Sequence, residues 1–257
     1  MGAQGTLSVS GPRGGNQKRR GRKMKKNPHK GKFIVLEGTD GSGKATQLEL
    51  LVKKLKEAGL PIETADFPQY KSTFFGKLVG RYLAGEFGKV YEISPYLSAL
   101  PFAGDRWQAA PKILRWLEEG KIVIANRYKG SNDAHQAVKL PVREQQAFLS
   151  WVDELEYEVF GIPLEDLTIF LYVPPAIGQK LVSKKGDRPW LKGAKQDIHE
   201  RDRNYLKKAS RMYLRLAKGR DNWVLIDCTN GRGGIRPIEE IHHDVLEVVR
   251  SHLEIEI

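Results

Sequence analysis

Residues 33–47 read FIVLEGTDGSGKATQ. The run Phe33–Glu37 has no polar alternation before its last residue, the pattern of a buried strand, and Leu48, Leu51, Val52 and Leu55 then recur at helical spacing until Gly59. Between strand and helix lies Gly38-Thr39-Asp40-Gly41-Ser42-Gly43-Lys44. Glycines in that position let the backbone fold tightly, so that its N–H groups and the helix N-terminus face an anion while the lysine reaches the β- and γ-phosphates of a nucleotide. The expected phosphate contacts are Gly38 through Lys44, continuing into Ala45 and Thr46. Ala45 stands where a Ser or Thr hydroxyl usually binds Mg²⁺. Thr46 points about 100° further round the helix and is a doubtful substitute.

Outward from this loop, short apolar runs alternate with helical patterns. Strands are expected at Ile62–Phe67, stopped by Pro68, at Lys121–Ala125, Leu167–Val173 and Trp223–Asp227. Helices are expected around Ile113–Leu117, Gln145–Phe160 and Ile198–Lys218, with a last one opened by Pro237 and lined by Ile238, Ile241, Val245, Leu246 and Val249. Non-alternating strands separated by helices imply an α/β fold, a five-stranded parallel sheet flanked by helices on both faces. No repeat and no second domain is evident.

Charge is distributed unevenly along the 257 residues. The formal net charge is +12, yet residues 1–32 hold ten Lys or Arg and no acid, which leaves 33 basic against 31 acidic residues in the remainder. Residues 1–32 are therefore read as a disordered basic tail and 33–257 as the folded domain. The Lys18–Lys26 cluster could touch nucleic acid or an anionic surface, Gly2–Thr6 matches an N-myristoylation pattern, and an acid-poor start is also compatible with a transit peptide; a solvated extension is the reading preferred here. No apolar run is long enough for a membrane span, and the single cysteine, Cys228, fits a reducing cytoplasm.

The string FIVLEGTDGSGKATQ resembles the thymidylate kinase family of P-loop kinases, and further motifs follow in that family's order from about Phe33 to Leu253. Phe67-Pro68 resembles the element that shapes the monophosphate pocket. Phe102-Ala-Gly-Asp-Arg106-Trp resembles the segment whose Phe stacks on thymine and whose Arg bonds the base. Asn126-Arg127-Tyr128 resembles an Asp-Arg-Tyr/His motif, with Ser131 and Gln136 where the family contacts the nucleotide, and Asp40 resembles the carboxylate that binds the sugar 3′-hydroxyl. The resemblance implies transfer of the γ-phosphate of ATP to dTMP with Mg²⁺, a homodimer built through residues 91–117 and 142–160, and a mobile lid at about 184–197. Arg127 at the end of a buried strand suits a bidentate phosphate contact.

Several positions depart from the family pattern. Some members carry a catalytic Arg where this chain has Gly41, so the cations that neutralise the transferring group are expected from the lid, Arg188 first and Lys185 second. Asn126 replaces a carboxylate, which together with Ala45 leaves the metal ligands unknown, with Asp105 and Asp40 as candidates. Tyr70 stands where some relatives have Arg, and Lys71 is the candidate replacement. Three alternatives stay open: a kinase for another nucleotide such as dUMP or for a deoxynucleoside, with Glu37 as its base; a non-catalytic nucleotide-binding protein, given Ala45 and Asn126; and a nucleic-acid binder working through the tail.

Overall fold

A computed structural model describes residues 26–182 and 197–253. The tail up to residue 25 and residues 184–196 of the expected lid, with Arg188 and Lys185, lie outside the described residues.

Five strands, β1 (Lys32–Glu37), β2 (Ile62–Asp66), β3 (Ile122–Asn126), β4 (Leu167–Tyr172) and β5 (Trp223–Asp227), form one sheet in the order β2-β3-β1-β4-β5. Every pairing is parallel. The helices are α1 (Lys44–Glu57), α2 (Phe74–Leu83), α3 (Pro95–Glu118), α4 (Lys129–Ala137), α5 (Val142–Asp153), α6 (Pro175–Val182), α7 (Arg203–Gly219) and α8 (Ile238–Leu253). Alternate residues of a strand face opposite sides of the sheet. Ile34 and Leu36 accordingly pack with Leu51 and Leu55 of α1 and with Ile241 and Val245 of α8. Phe33 and Val35 pack the other way, against Ile113 and Leu117 of α3. The expected α/β sandwich is present, with a helical layer on each face.

Three expected helices differ in extent from the sequence expectation, and α2 and α4 had no counterpart in it. The helix read as Gln145–Phe160 is α-helical only to Asp153 and continues as a wider π-helical segment, Glu154–Val159. The helix expected from Ile198 begins at Arg203, where the Asp202 side chain accepts from the backbone N–H groups of Asn204 and Tyr205 and caps it. The helix around Ile113–Leu117 is the end of a 24-residue element that includes Pro101 and Pro111.

No described helix is long and apolar enough to cross a membrane. The register sets Leu36 of β1 beside Asn126 of β3, and Asn126 beside Asp66 of β2. Chain connections depart to opposite sides of β1, and open α/β sheets hold ligands at the carboxyl ends of strands where that reversal occurs.

Candidate active site

A cleft of about 610 Å³ opens at those carboxyl ends. It is lined at one end by Asp40 to Gln47 and at the other by Phe67, Pro68, Tyr70, Phe102, Arg106, Ser131, Asn132, His135 and Gln136. A cavity of that size falls within the usual span for small-ligand sites, roughly 300–1,000 Å³.

The loop end is built from backbone and one lysine. Lys44 Nζ lies inside the loop and donates to the carbonyls of Gly38 and Thr39, each at 2.9 Å, neither of which lines the cleft. Gly41 has φ +82, and a Cβ built on it would lie 2.3 Å from the carbonyl oxygen of Gly178 in α6. The loop and α6 therefore touch backbone to backbone, and no side chain fits at position 41. An arginine there is excluded by packing, a reason for Gly41 that the sequence did not reveal.

Arg127 follows β3 with φ 63, a left-handed conformation that a non-glycine residue adopts at a cost. That backbone aims its guanidinium back across the sheet. Nη2 reaches Asp40 Oδ1 at 2.6 Å, and Nη1 donates to the carbonyl of Gly38 and to Ser131 Oγ, both at 3.0 Å. Beneath it, Glu37 is fully buried and accepts from the backbone N–H of Tyr128 (2.9 Å) and of Ser131 (2.8 Å) and from the hydroxyls of Ser131 (2.7 Å) and Tyr213 (3.1 Å). Its oxygens are committed to holding the start of α4, and it does not line the cleft. The deoxynucleoside-kinase alternative required Glu37 as a base, and that support is lost.

The far end is built from side chains on separate elements. Arg106 of α3 is buried, and its Nε and Nη2 form a two-point ion pair with Glu156, at 2.5 and 2.8 Å. Burial works against the charged guanidinium, and the neighbouring Glu156 carboxylate more than offsets it, so the pKa of Arg106 is raised. Glu156 sits in the π-helical segment, whose wider turns bring it under the cleft. The same carboxylate accepts from Asn132 Nδ2 at 3.0 Å, which fixes the orientation of that carboxamide. Asn132 Oδ1 is thereby left buried and facing no donor among the described residues. One helical turn on, Gln136 Oε1 accepts from Ser98 Oγ at 2.7 Å, and its Nε2 is likewise buried without an acceptor. Phe102 packs edge-on against Tyr82 and also lines the cleft. His135 and His199 stack 5.3 Å apart, and burial drives both toward the neutral imidazole, His135 to a pKa of about 3.

The cleft thus brings together Asp40 through Thr46, Phe67, Pro68, Phe102, Arg106, Arg127, Ser131 and Gln136. Two candidates are corrected. Asp105, proposed as a metal ligand, faces away from the cleft: its oxygens accept from the backbone N–H of Gln69 and the hydroxyl of Thr73, tying the turn after Pro68 to α3. Lys71 is exposed and does not line the cleft, so it does not take over a charge there; Tyr70 does line it. The sequence reading missed Asn132, His135, Glu156, His199 and Asp66. Asn132 and His135 share a helix with Ser131 and Gln136, and their i, i+4 spacing was the available signal. Glu156 and Asp66 gave none.

A family model for thymidylate kinase matches residues 36–245. The thymidylate kinase of Homo sapiens is 31% identical over 219 residues, covering 84% of this chain and 88% of that protein. That of Plasmodium falciparum is 31% identical over 220 residues, covering 86% and 90%. Among solved structures, thymidylate kinase from Candida albicans superposes with a TM-score of 0.65 at 22% identity, covering 87% of this chain and 92% of that one, which supports the fold.

Proposed function

This chain belongs to the thymidylate kinase family, and from that premise we infer that it transfers the γ-phosphate of ATP to dTMP, giving dTDP and ADP. One observation carries the reading. A single cleft has a phosphate loop at one end and, at the other, an unpaired acceptor and an unpaired donor one helical turn apart, Asn132 Oδ1 and Gln136 Nε2. A thymine or uracil edge offers their complement, an N3–H beside carbonyl oxygens, and the Phe102 ring suits stacking on the base.

In this reading the loop from Gly38 to Thr46 holds the phosphates of ATP and Lys44 bears on the β- and γ-phosphates. Arg127, fixed by Asp40, Gly38 and Ser131, faces the phosphate of the monophosphate, and Asp40 stands beside its sugar. Phe67 and Pro68 wall the pocket, and Arg106 lies at the base end. The acceptor is already an anionic oxygen, so no general base is required, and positioning with charge neutralisation supplies the acceleration. Because no side chain fits at Gly41, Arg188 and Lys185 are the cations this reading assigns to the transferring group. Mg²⁺, when bound with ATP, supplies further charge neutralisation on the phosphate oxygens.

A homodimer through 91–117 and 142–160 is supported by the exposure of Leu97, Leu100 and Trp107, which recur at helical spacing on α3, and of Val142 and Val159. A cytoplasmic setting rests on the single free thiol, Cys228.

The test is ADP release with ATP, Mg²⁺ and dTMP, dUMP, dCMP, dGMP or AMP. Turnover with dTMP, alone or shared with dUMP, is the expected outcome, with dCMP and AMP failing because neither carries a ring N–H at the matching edge position. ATP binding with no turnover on any acceptor would overturn the reading in favour of a nucleotide-binding protein without chemistry.

A further inference from the structure

At the carboxyl end of the sheet, β2 and β3 terminate in an in-register pair, Asp66 and Asn126, both lining the cleft beside the phosphate loop. Asn126 Nδ2 donates to Asp66 Oδ1 at 2.7 Å. That bond fixes the carboxamide, and its Oδ1 is left buried with no hydrogen-bond donor among the described residues. A buried carbonyl oxygen without a donor needs an explanation, and an ion is one. The other carboxylates near the loop are already engaged. Asp40 is paired with Arg127, Glu37 accepts from four donors, and Asp105 holds the Gln69–Thr73 turn. No cluster of three or more His, Cys, Asp or Glu suited to a metal occurs among the described residues. Mg²⁺ does not require one, since it takes one or two protein oxygens and completes its shell with phosphate oxygens and water. A carboxylate and a carboxamide oxygen, held on the ends of two hydrogen-bonded strands, fit that demand in hardness, charge and rigidity.

We propose that Asp66 and Asn126 together form the seat of the divalent cation that accompanies the nucleotide phosphates, Asp66 supplying the charge and Asn126 Oδ1 a neutral oxygen, directly or through a cation-bound water. The pair does from the strand ends what a hydroxyl at position 45 would do from the helix, and it accounts for the presence of Ala45. This inference rests on the phosphotransfer reading above.

The experiment uses Mn²⁺ as the probe, titrated by electron paramagnetic resonance into the full chain saturated with ADP. Asp66→Asn is expected to weaken Mn²⁺ binding at least tenfold, and Asp66→Asn/Asn126→Asp, which returns the carboxylate one strand away, to restore most of it. Asn126→Asp alone brings a second carboxylate and is expected to tighten binding several-fold, which decides the matter if Asp66→Asn does not fold. Unchanged Mn²⁺ affinity in folded Asp66→Asn, no recovery in the exchange variant, or no tightening in Asn126→Asp would overturn the proposal. ADP release with dTMP, measured on the same wild-type preparation, separates the two failures. Turnover with unmoved Mn²⁺ affinities removes only the cation seat, whereas absence of turnover removes the kinase reading.

Discussion

The two ends of the cleft are made differently. At the phosphate end, consecutive residues from one strand–turn–helix unit supply the loop, and Lys44 donates to the carbonyls of Gly38 and Thr39 within it. At the base end, Arg106 of α3, Asn132 and Gln136 of α4, and Glu156 of the π-helical segment are brought together from elements far apart in the chain, and Arg106, Asn132 and Glu156 bond one another while Gln136 is held by Ser98. A contiguous backbone site tolerates loss of its one functional side chain without collapse. A site of interlocked buried side chains couples ligand contact to stability, so damage there is expected in the fold as well as in the kinetics.

The largest expected effect tests that coupling. Arg106→Ala strands the Glu156 carboxylate in the interior and is expected to cost about 3–5 kcal/mol of stability, read by urea unfolding. A loss below about 1 kcal/mol would break the comparison at the base end. Next comes Lys44→Ala at the phosphate end, expected to lower kcat by about 10³-fold with an unfolding midpoint close to wild type. A large stability loss there would show that the loop depends on its lysine for structure. Gln136→Leu sharpens the contrast further, removing one base-edge donor for about a tenfold loss in kcat/KM for dTMP while KM for ATP stays put.

The smallest effect is a pH dependence. His135 and His199 are held neutral by burial, so their folded pKa lies below the unfolded value of about 6.5. Below that pH the unfolded chain binds more protons, so their contribution is full above about pH 6.5 and is lost progressively toward the folded value of about 3 for His135. Replacing His135 with Asn is expected to flatten the stability–pH slope between pH 6.5 and 5 by at most about 1.4 kcal/mol per pH unit. An unchanged slope would show that the ring is protonated in the folded state.

The same contrast explains what the sequence disclosed. The central strands β1, β3 and β4 were legible because buried parallel strands are continuous apolar runs, the edge strand β2 from its β-branched residues and the Pro68 that stops it, and the loop because its residues are contiguous. At the base end Phe102, Arg106, Ser131 and Gln136 were legible through the family's motifs, whereas the neighbours that hold them were not. Glu156 was hidden because an α-helical pattern does not show where a helix widens, and the Asp66–Asn126 pair because β2 and β3 are far apart in the chain. Asp105 was misjudged for a related reason: its proximity to Arg106 in sequence does not tell that successive residues of a helix face about 100° apart. The reach of Arg127 depends on a left-handed backbone that composition cannot signal.

The central claim is that both ends of this cleft serve one phosphoryl transfer. Its most direct test is incubation of the full chain with Mg²⁺, dTMP and ATP labelled with ³²P at the γ position, followed by separation of the products. The account predicts label in the β-phosphate of dTDP in step with ADP formed, and none in inorganic phosphate. Label retained in ATP despite nucleotide binding, or released only as inorganic phosphate, would contradict it.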